Sequence, residues 1–584
     1  MPLADDLAAA GVAAGSTVAL VVAPVGVALA WDGGARQLPG DVSVLAPELA
    51  RLDVRWTWWS ARESAGPLVA VAGRAAGRAG PRLRACWDLA AVSRLLHGTS
   101  REDAAAVWSA HRGLVEPPPP RGELDLLDLG DEDGSAIRPD GQLSREWVAG
   151  GWADDLTRAL RWAELALEVQ AAQESALRAL PDPRSEARQP PLAVLTAYAE
   201  SGAALLALEL EHDGLPLDRD VATGLIGAVT GPRPVDESHA TAQRRGRDDA
   251  VLRLFPDAGA VDLRNPAQVR VMLARIGLDL PDTRSWRLEP HAASLPPVAA
   301  LLAWRKAERL STTYGWSWLD RHVGADGRLR GRWSAAEGAG RMSAQAGLHN
   351  MPAELRPAVR ADPGWVLVRA DLGQVEPRVL AVVSGDAALA TAAREADMYA
   401  PVAAALHSDR PTAKVAVLAA MYGQTSGPAG AALRDMDRAY PRAMAYLRTA
   451  EEAGRAGTDL RTYGGRLLRL SRVRVGDEGD MSFDDRYPPS AWGRFARNAV
   501  VQGSAAELFK AWAVTVRAGL AGSPGRIVLC LHDELLLHVP AEDAAEVSAL
   551  LVTALQATAR WWAAGSGVRF VADVAVGESW AEAH

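Results

Sequence analysis

The segment 527–539 constrains the fold of this chain more than any other, because it places three polar residues inside an apolar run. Apolar side chains on both sides enclose His532, Asp533 and Glu534, and this pattern predicts a strand, a tight turn and a second strand. Aspartate is common in turns, but the Gly or Asn that usually accompanies it is missing here. Two adjacent acids repel each other unless a cation or solvent relieves them. The segment by itself therefore fits a plain turn and a functional site equally well.

A second carboxylate, Asp371, follows the apolar segment Val366–Ala370, for which we predict a buried strand. For Asp371 alone, a helix N-cap is the favoured alternative, because aspartate often caps helices. Asp371 and Asp533 together indicate two-metal chemistry, in which two Mg²⁺ ions roughly 3.5–4 Å apart activate an attacking hydroxyl and stabilise a leaving phosphate. Few acids are needed, since Mg²⁺ takes one or two carboxylates together with substrate phosphates and water.

Lysine is almost absent from this chain. Of 63 basic residues, only Lys306, Lys414 and Lys510 are lysines. Because lysine and arginine differ in shape, hydration and pKa, a chain that uses arginine so widely is expected to keep lysine where a compact ammonium group is needed.

Arg410, Lys414, Leu418 and Tyr422 recur every four residues and share one face of a predicted helix that starts near Asp409. The proline after Arg410 suits the first turn of that helix. Arg410 and Lys414 can grip a triphosphate, and Tyr422 can stack at a base. A solvated basic face with a buried Leu and Tyr is the alternative, and it is favoured for this segment alone.

Composition limits the class of protein. The 584 residues suffice for two to four domains, and hydrophobic and charged contents of 49% and 23% are those of an ordinary globular chain. The net charge of −9 gives no global basic field, although a large enzyme can confine its arginines to one groove. Cys86 and Cys530 are the only cysteines, which excludes a disulfide framework and a cysteine zinc site and fits a reducing cytoplasm. The apolar stretch Val18–Trp31 is too short to span a bilayer, so we expect a buried strand or hairpin and no membrane partner.

Hydrophobic spacing divides the chain into regions. Residues 1–112 combine apolar runs at Val18–Ala23 and Leu68–Val71 with a helical pattern at Trp87–Leu96, which favours an α/β domain. The acidic, Pro- and Gly-rich residues 113–142 are predicted to be a linker. The later regions are a helix from Trp147 to Leu180, a mostly helical stretch 190–325, a strand and helix in 360–400, and helices in 400–460.

Several ordered segments resemble the motifs of the A-family DNA polymerases, over about residues 195–584. The motif-like residues are Asp371, Gln374, Glu376 and Arg378 for motif A, Arg410 and Lys414 through Tyr422-Gly423 for motif B, and His532-Asp533-Glu534 for motif C. The supporting segments are Asn265-Pro-Ala-Gln268, Thr313-Tyr314, Gly340-Arg341-x-Ser343, Leu348-His-Asn350-Met-Pro352 and a helix that carries Arg494, Asn498, Gln502 and Lys510. No single segment would be enough, but their shared order argues against chance.

The resemblance implies an α+β multidomain protein with a right-hand polymerase fold of thumb, palm and fingers. An α/β ribonuclease H-like domain, which in this family often holds a 3′–5′ exonuclease, is expected to precede it. The expected boundaries are 1–175 for the exonuclease-like domain, 176–350 for a mainly helical thumb, 351–395 and 490–584 for the palm, and 396–489 for the fingers. With these boundaries, we expect no N-terminal 5′-nuclease domain.

Family roles carry over residue by residue. Two Mg²⁺ ions, with Mn²⁺ as a substitute, are expected on Asp371, Asp533 and the backbone carbonyl of Leu372, and the catalytic group also includes Lys414 and Glu534. Lys414 would protonate the departing pyrophosphate, which a guanidinium cannot plausibly do. The residues expected to bind the incoming deoxynucleoside triphosphate are Gln374, Glu376 as the gate against a ribose 2′-OH, Arg410, Lys414, Leu418 and Tyr422. Those expected to contact primer-template DNA are Arg341, Asn350, Arg494, Asn498, Gln502 and His532.

Four positions depart from the family pattern. Leu418 stands where Phe or Tyr usually stacks on the nucleotide, and Tyr399 stands where a phosphate-contacting His is common. Pro377 replaces Leu in motif A, and His349 replaces Gln before Asn350. The metal-binding and phosphate-binding groups are intact, so we expect activity, and the departures bear on fidelity, sugar discrimination and speed.

The exonuclease-like domain is expected to be degenerate. Its first strand should carry an Asp-x-Glu pair, and the candidate strand Val18–Gly26 contains no acid. Asp88 lies in a segment that resembles the second exonuclease motif, and Asp155 lies in one that faintly resembles the third. Without the first pair, two metals lack their shared ligands, so we predict little or no proofreading.

The predicted function is DNA-templated DNA synthesis in replication or repair, by a cytoplasmic, nucleoid-associated enzyme. A single-subunit RNA polymerase is one alternative, and Glu376 and Glu534 argue against it. A catalytically dead primer-template-binding protein is another, for which the residues at 377, 399 and 418 leave room. A working exonuclease in residues 1–170 is the third.

Overall fold

The computed structural model describes residues 3–72, 82–119, 134–256, 259, 261–335, 338–423, 428–470 and 488–583. The centre of the predicted linker, 120–133, and two parts of the predicted fingers, 424–427 and 471–487, lie outside the described residues. The chain forms two compact units. The first consists of Met1–Asp213, Arg332–Ala344 and Gly364–Val576, and the second of Gly214–Gly331, Gln345–Pro363 and Gly577–His584.

The first unit begins with an α/β region. Its elements are α1 (Leu3–Ala9), β1 (Thr17–Ala23), β2 (Gly26–Trp31), β3 (Gly34–Pro39), α2 (Val42–Leu49), β4 (Arg55–Trp58), α3 (Ala61–Ala72), β5 (Cys86–Asp88), α4 (Leu89–His97), α5 (Ala104–Arg112), α6 (Arg145–Val148), α7 (Leu156–Arg178) and α8 (Leu192–Asp213). The strands form one sheet in the order β3-β2-β1-β4-β5. Strands β1, β2 and β3 pair antiparallel, whereas β4 runs parallel to β1 and β5 parallel to β4.

Strand β1 is buried on both faces, which explains its nearly continuous apolar sequence. Successive side chains of a strand point to opposite faces, and here Ala19 and Val21 join one apolar cluster while Val18 and Leu20 join another. The first cluster includes Trp162 on α7. The prediction of a buried hairpin at Val18–Trp31 is therefore confirmed.

The structure assigns the apolar run Leu68–Val71, which the sequence left without an element, to helix α3, and it corrects one prediction in this region. The single helix predicted from Trp147 to Leu180 is two helices, α6 and α7, separated by a turn that contains Gly150 and by the α7 N-cap Asp155.

The second unit is mainly helical, as predicted for 190–325. Its elements are β6 (Leu215–Pro216), α9 (Arg219–Thr230), α10 (Glu237–Leu252), α11 (Pro266–Arg275), α12 (Ser285–Ala292), α13 (Pro296–Thr313), α14 (Trp316–His322) and β7 (Arg328–Leu329), followed by 3₁₀ turns at Leu348–Asn350 and Ala353–Ala358. Its apolar core includes Val269, Leu273, Leu288 and Leu301.

The rest of the first unit surrounds a second sheet. Its elements are β8 (Trp333–Ser334), β9 (Ser343–Ala344), β10 (Trp365–Leu372), α15 (Val375–Ser384), α16 (Ala387–Ala392), α17 (Tyr399–Ala405), α18 (Arg410–Tyr422), α19 (Pro428–Ala439), α20 (Pro441–Ala456), β11 (Leu460–Arg461), β12 (Leu467–Leu468), α21 (Pro489–Gly519), β13 (Arg526–Cys530), β14 (Glu534–Pro540), α22 (Ala544–Trp562) and β15 (Ala572–Gly577). The sheet order is β13-β14-β10-β15, and every residue of β14 is buried. The predicted strand, turn and strand at 527–539 are confirmed as β13 and β14.

Among the described residues, helix α8 alone is long and apolar enough to cross a membrane. Its most apolar window is 78% buried inside the protein, as in the core helix of a globular domain.

Candidate active site

The two predicted metal-binding aspartates lie side by side at one end of the second sheet. Strands β10 and β14 pair antiparallel, and their register sets Asp371 opposite Glu534. The backbone N–H of Leu372 donates a hydrogen bond of 2.7 Å to the carbonyl of Asp533. Because both strands are held in register by buried neighbours, the backbones that carry Asp371 and Asp533 are fixed relative to each other.

Asp371 does not cap a helix. It lies within β10, and the N-cap of the following helix α15 is Gln374, whose φ is +58°. The capping alternative is therefore wrong. Asp533 does occupy the turn between β13 and β14, which the N–H of Leu531 closes by donating to the carbonyl of Glu534 at 2.8 Å.

Negative charge is in excess at this end of the sheet. Partial burial and the nearby carboxylates of Asp371, Glu534 and Glu376 raise the pKa of Asp533 to about 6. Arg369 pairs with Asp371 at 2.9 Å and with Glu534 at 2.8 Å, and its single positive charge does not balance the group. A divalent cation would relieve the remaining repulsion.

The donor set fits Mg²⁺ in the manner of a nucleotide-handling site. Within the described ranges, no group of three or more His, Cys, Asp or Glu is arranged to hold a metal ion. Mg²⁺ needs no such group, since one or two carboxylates suffice when substrate phosphates and water supply the other ligands. The carboxylates of Asp371 and Asp533 and the carbonyl of Leu372 are the groups that could hold it.

Four of the predicted site residues meet around Glu376. Its Oε1 accepts a hydrogen bond of 2.5 Å from Nη2 of Arg341, and its Oε2 accepts one of 3.4 Å from the hydroxyl of Tyr422. Gln502 is hydrogen-bonded to the same hydroxyl and, by that bond, lowers the pKa of Tyr422, although burial raises it more. The carboxylate of Glu376 is thus held from two sides.

Helix α18 presents its basic face to solvent. The helix begins at Arg410, as the sequence predicts, and Asp409 caps it by accepting a hydrogen bond from the N–H of Thr412 at 2.9 Å. Arg410 and Lys414 are exposed, Leu418 is half-buried and Tyr422 is exposed. The opposite face is packed through Ala413, Ala416, Val417 and Ala420, so the exposed face is the one that carries the cations.

Two predicted nucleotide-binding residues meet at a carboxylate that sequence reasoning missed, Asp397. Nε of Arg410 donates to its Oδ2 at 2.6 Å, and Nε2 of Gln374 donates to its Oδ1 at 2.6 Å. The guanidinium of Arg410 also lies 5.6 Å from the ring centroid of Tyr399. Asp397 lies two residues before Tyr399, which departs from the family pattern. That proximity could have identified Asp397 as a candidate site residue.

The long helix α21 carries three predicted DNA-binding residues at intervals of four. Arg494 is exposed, whereas Asn498 and Gln502 are half-buried. On another face of the helix, Nε of Arg497 donates to the carbonyl of Ala420 at 2.6 Å, which ties α21 to α18. The row Arg494, Asn498 and Gln502 therefore lies on one face of α21, and Arg497 anchors the helix from another face.

The remaining two predicted DNA-binding residues are placed differently. His532 is exposed in the turn beside Asp533. Asn350 belongs to the second unit, where its carbonyl accepts a hydrogen bond from Nη2 of Arg309 at 2.9 Å.

Residues 258–582 match the family model of DNA polymerase family A. The chain belongs to DNA polymerase family A. The resemblance drawn from the motifs is confirmed.

Relatives in family A agree with this. The chain is 29% identical over 349 residues to DNA polymerase I of Chloroflexus aurantiacus, and 29% identical over 331 residues to the thermostable DNA polymerase I of Thermus filiformis. Each match covers 52% of this chain, but only 36% and 38% of the length of the two relatives. A solved structure of the POL domain of Pol1 from M. smegmatis, in complex with DNA primer-template and dNTP, superposes with a TM-score of 0.65 at 20% identity and covers 100% of this chain and 98% of that one. The fold is therefore that of a polymerase domain.

Two arginines near family A motif A were also missed as site residues. Arg369 precedes Asp371 by two residues, and the two-residue period of a strand places both on one face, which was a usable signal. Arg378, noted only as part of the motif, is fully buried, and its guanidinium donates to the carbonyls of Gly373, Ala393, Glu395, Ala396 and Arg569. It fixes the start of α15 beneath Gln374 and Glu376.

The two acids that were compared with exonuclease motifs, Asp88 and Asp155, serve as helix caps. The buried carboxylate of Asp88 accepts hydrogen bonds from the backbone N–H groups of Ala61 at 2.5 Å and Ala91 at 2.8 Å. Asp155 accepts one from the N–H of Thr157 at 2.7 Å. Strand β1 carries no acid that could join them.

Proposed function

We propose that this protein is a DNA-templated DNA polymerase that adds deoxynucleotides to a primer 3′-OH. The observation that carries the proposal is that Asp371 and Asp533 lie side by side. A hydrogen bond of 2.7 Å from the N–H of Leu372 to the carbonyl of Asp533 holds their backbones in this position. Burial and, after it, the neighbouring carboxylates raise the pKa of Asp533 to about 6, and the excess negative charge there favours a divalent cation. Membership of family A supports the reaction.

The carboxylates of Asp371 and Asp533 and the carbonyl of Leu372 would hold two Mg²⁺ ions, with Mn²⁺ as a substitute. Such ions lower the pKa of an attacking hydroxyl and stabilise charge on a leaving phosphate. Glu534 and Arg369 would support this site, because their ion pair at 2.8 Å holds the start of β14 against β10.

The exposed cations of α18 would bind the incoming triphosphate. Arg410 offers a planar guanidinium for phosphate oxygens, and Lys414 offers a point charge whose proton can pass to pyrophosphate. Lys414 is solvent-exposed, and among the described residues it makes no ion pair that would have to break first. Leu418 and Tyr422 would line the base on the same face.

The carboxylate of Glu376 would reject ribonucleotides. Arg341 and Tyr422 hold it from two sides, so it cannot easily move away from a 2′-hydroxyl. A deoxyribose leaves that space empty. The same geometry disfavours the RNA polymerase alternative.

Primer-template DNA would bind along Arg341, Arg494, Asn498, Gln502 and His532, with Asn350 from the thumb. Contacts of arginine with phosphate make such binding strongly salt-dependent. The proposed division is thumb 176–350, palm 351–395 and 490–584, and fingers 396–489. The setting would be replication or repair synthesis at the nucleoid.

For residues 1–175 we propose a ribonuclease H-like domain with little or no 3′–5′ exonuclease activity. The sheet order β3-β2-β1-β4-β5 supports the fold. The use of Asp88 and Asp155 as caps, and the absence of acids from strand β1, support the loss of activity.

Primer extension on a recessed-end duplex tests the proposal. Wild type with Mg²⁺ and four deoxynucleotides should extend the primer, and Asp371→Asn and Asp533→Asn should not, because each removes a charge without changing shape. Asp573→Asn, which neutralises an exposed acid on β15 of the same sheet, is the matched control and should extend normally.

Three further lanes separate the alternatives. Preferred use of ribonucleotides would indicate an RNA polymerase. Duplex binding without extension at any salt concentration would indicate a dead DNA-binding protein. Primer shortening when nucleotides are omitted would indicate a working exonuclease.

A further inference from the structure

Asp397 joins two segments that come from different parts of the sequence. Its Oδ1 accepts a hydrogen bond from Gln374, at the start of α15, and both its oxygens accept from Arg410, at the start of α18. The backbone N–H of Tyr399 also donates to Oδ1 at 3.2 Å, which fixes the carboxylate against its own loop. The side-chain oxygen of Gln374 accepts a hydrogen bond of 2.9 Å from the N–H of Met398. Two hydrogen bonds therefore join Gln374 to the loop that carries Asp397.

The contacts of Arg410 with the described residues leave part of its guanidinium open. Asp397 engages the edge formed by Nε and Nη2, at 2.6 Å and 3.2 Å. A guanidinium has a second edge, formed by Nη1 and Nη2, that can bind two oxygens of a phosphate. The ring of Tyr399 lies 5.6 Å from the guanidinium carbon, within the range of a cation–π contact. The guanidinium is thus held by one edge and one face.

Stability does not account for this ion pair. The side chains of Arg410 and Asp397 are 55% and 38% exposed, and ion pairs in such positions contribute little to folding. An exposed arginine otherwise samples many rotamers, and ordering it at the moment of binding costs free energy. Because Asp397 accepts two hydrogen bonds from Arg410, the arginine is already ordered before a ligand binds.

We propose that Asp397 is a positioning residue for the incoming nucleotide: it holds Arg410 with its second guanidinium edge free for the triphosphate and couples it through Gln374 to the strand that carries Asp371. The inference rests on the proposed polymerase function. Asp397 acts through Arg410 and does not itself touch the substrate.

The test is the dissociation constant of dATP from a complex with a primer-template that presents a templating dT. A dideoxy-terminated primer prevents chemistry. Asp397→Asn keeps the shape and an oxygen for Gln374 but loses the charge that holds Arg410. We expect it to weaken dATP binding on the order of tenfold, a coupling of the usual size between residues in one network. Glu395→Gln removes the same charge from an exposed neighbour in the same loop and should leave the dissociation constant unchanged.

A double-mutant cycle identifies the route. In an Arg410→Ala background, Asp397→Asn should add less than about twofold, because its partner is gone. With an extendable primer, KM for dATP should rise in Asp397→Asn while kcat stays within about threefold. Damage to the fold alone would lower the active fraction and leave KM unchanged.

Three outcomes would overturn the proposal, and a fourth would overturn only the polymerase function on which it rests. Tighter dATP binding in Asp397→Asn would mean that Asp397 competes with phosphate for Arg410. Equal weakening with and without Arg410 would mean that it acts by another route. Wild-type extension together with unchanged dATP binding in Asp397→Asn refutes only this inference, whereas a wild type that binds duplex and dATP but never extends refutes only the polymerase.

Discussion

Nη2 of Arg341 donates a hydrogen bond of 2.5 Å to Oε1 of Glu376, so an arginine from the β8–β9 segment holds a carboxylate at the start of α15. Glu376→Ala removes the proposed sugar gate and should reduce discrimination against ribonucleotides by on the order of 100-fold. Arg341→Ala should give a smaller loss, because the hydroxyl of Tyr422 still reaches Glu376. The ratio of kcat/KM for dATP and ATP measures both.

Arg332→Ala is the matched control for that experiment, since it removes an exposed arginine from the same segment. Its sugar discrimination should equal that of the wild type. If Glu376→Ala discriminated against ribonucleotides as strongly as the wild type, Glu376 would not be the sugar gate.

Lys414 is expected to act as both a charge and a proton donor. Lys414→Arg keeps the charge but cannot release a proton, so dATP affinity should change little while the rate of the chemical step falls by roughly 10²–10⁴-fold. Lys414→Ala should lose affinity as well. Rapid-quench kinetics separates the two effects, and Lys306→Arg, at an exposed lysine on α13, should behave as wild type.

Glu507 should make stability depend on pH. Burial on α21 raises its pKa from 4.5 to about 7, even though Thr462 and the N–H of Gly464 donate hydrogen bonds to it. Because the folded-state pKa is the higher one, the folded state binds more protons between about pH 4.5 and 7, and stability falls as pH rises through that window. Glu507→Gln stays neutral and should be more stable than the wild type at pH 8 by up to about 3 kcal/mol.

Chemical denaturation at pH 5 and pH 8 checks this expectation. The difference between Glu507→Gln and the wild type should shrink to less than about 1 kcal/mol at pH 5, which lies near the lower end of that window. Glu452→Gln, at an exposed position on α20, is the control. A constant difference at both pH values would contradict the assignment.

Asp88 should matter for stability and not for synthesis. Its carboxylate accepts from Ala61, Ala91 and the indole of Trp58, so an asparagine would have to turn its NH₂ group toward other donors. Asp88→Asn should lose about 1–3 kcal/mol of unfolding free energy. Thermal unfolding measures this, and primer extension below the transition should match the wild type.

Asp155→Asn offers the comparison within the same region. It caps α7 from an exposed position through one hydrogen bond, so we expect a loss of less than about 1 kcal/mol. Normal stability in Asp88→Asn, together with the loss of a metal-dependent shortening of primers, would support the exonuclease alternative.

Local signals predicted much of this structure. The start of α18 near Asp409, the proline in its first turn and the hairpin around Asp533 each depend on residues within a few positions of one another. The two-metal hypothesis needed only the assumption that two strand ends meet. The register of β10 and β14 confirms that they do.

Contacts between distant segments could not be predicted in this way. Nothing local marks Asp397 as the partner of Arg410, or Arg341 as the partner of Glu376. Lys510 was noted as a rare lysine, yet its amine is buried and donates to Glu200 at 2.8 Å from another part of the fold. Such pairs depend on packing, which single-sequence patterns do not contain. The run Leu68–Val71 could not be assigned to an element for a related reason, since only its neighbours decide between helix and strand.

The hydrogen bond between Leu372 and Asp533 also has a consequence for biosynthesis. Domains fold as their segments leave the ribosome, and contacts between distant segments form last. During synthesis, Asp371 therefore lacks its partner strand until the residues between α15 and β14 have been made. A chain interrupted before β14 can display the arginine and lysine of α18 but has no second carboxylate beside Asp371. If the protein is the polymerase proposed above, products truncated before β14 should bind nucleotide weakly and extend no primer.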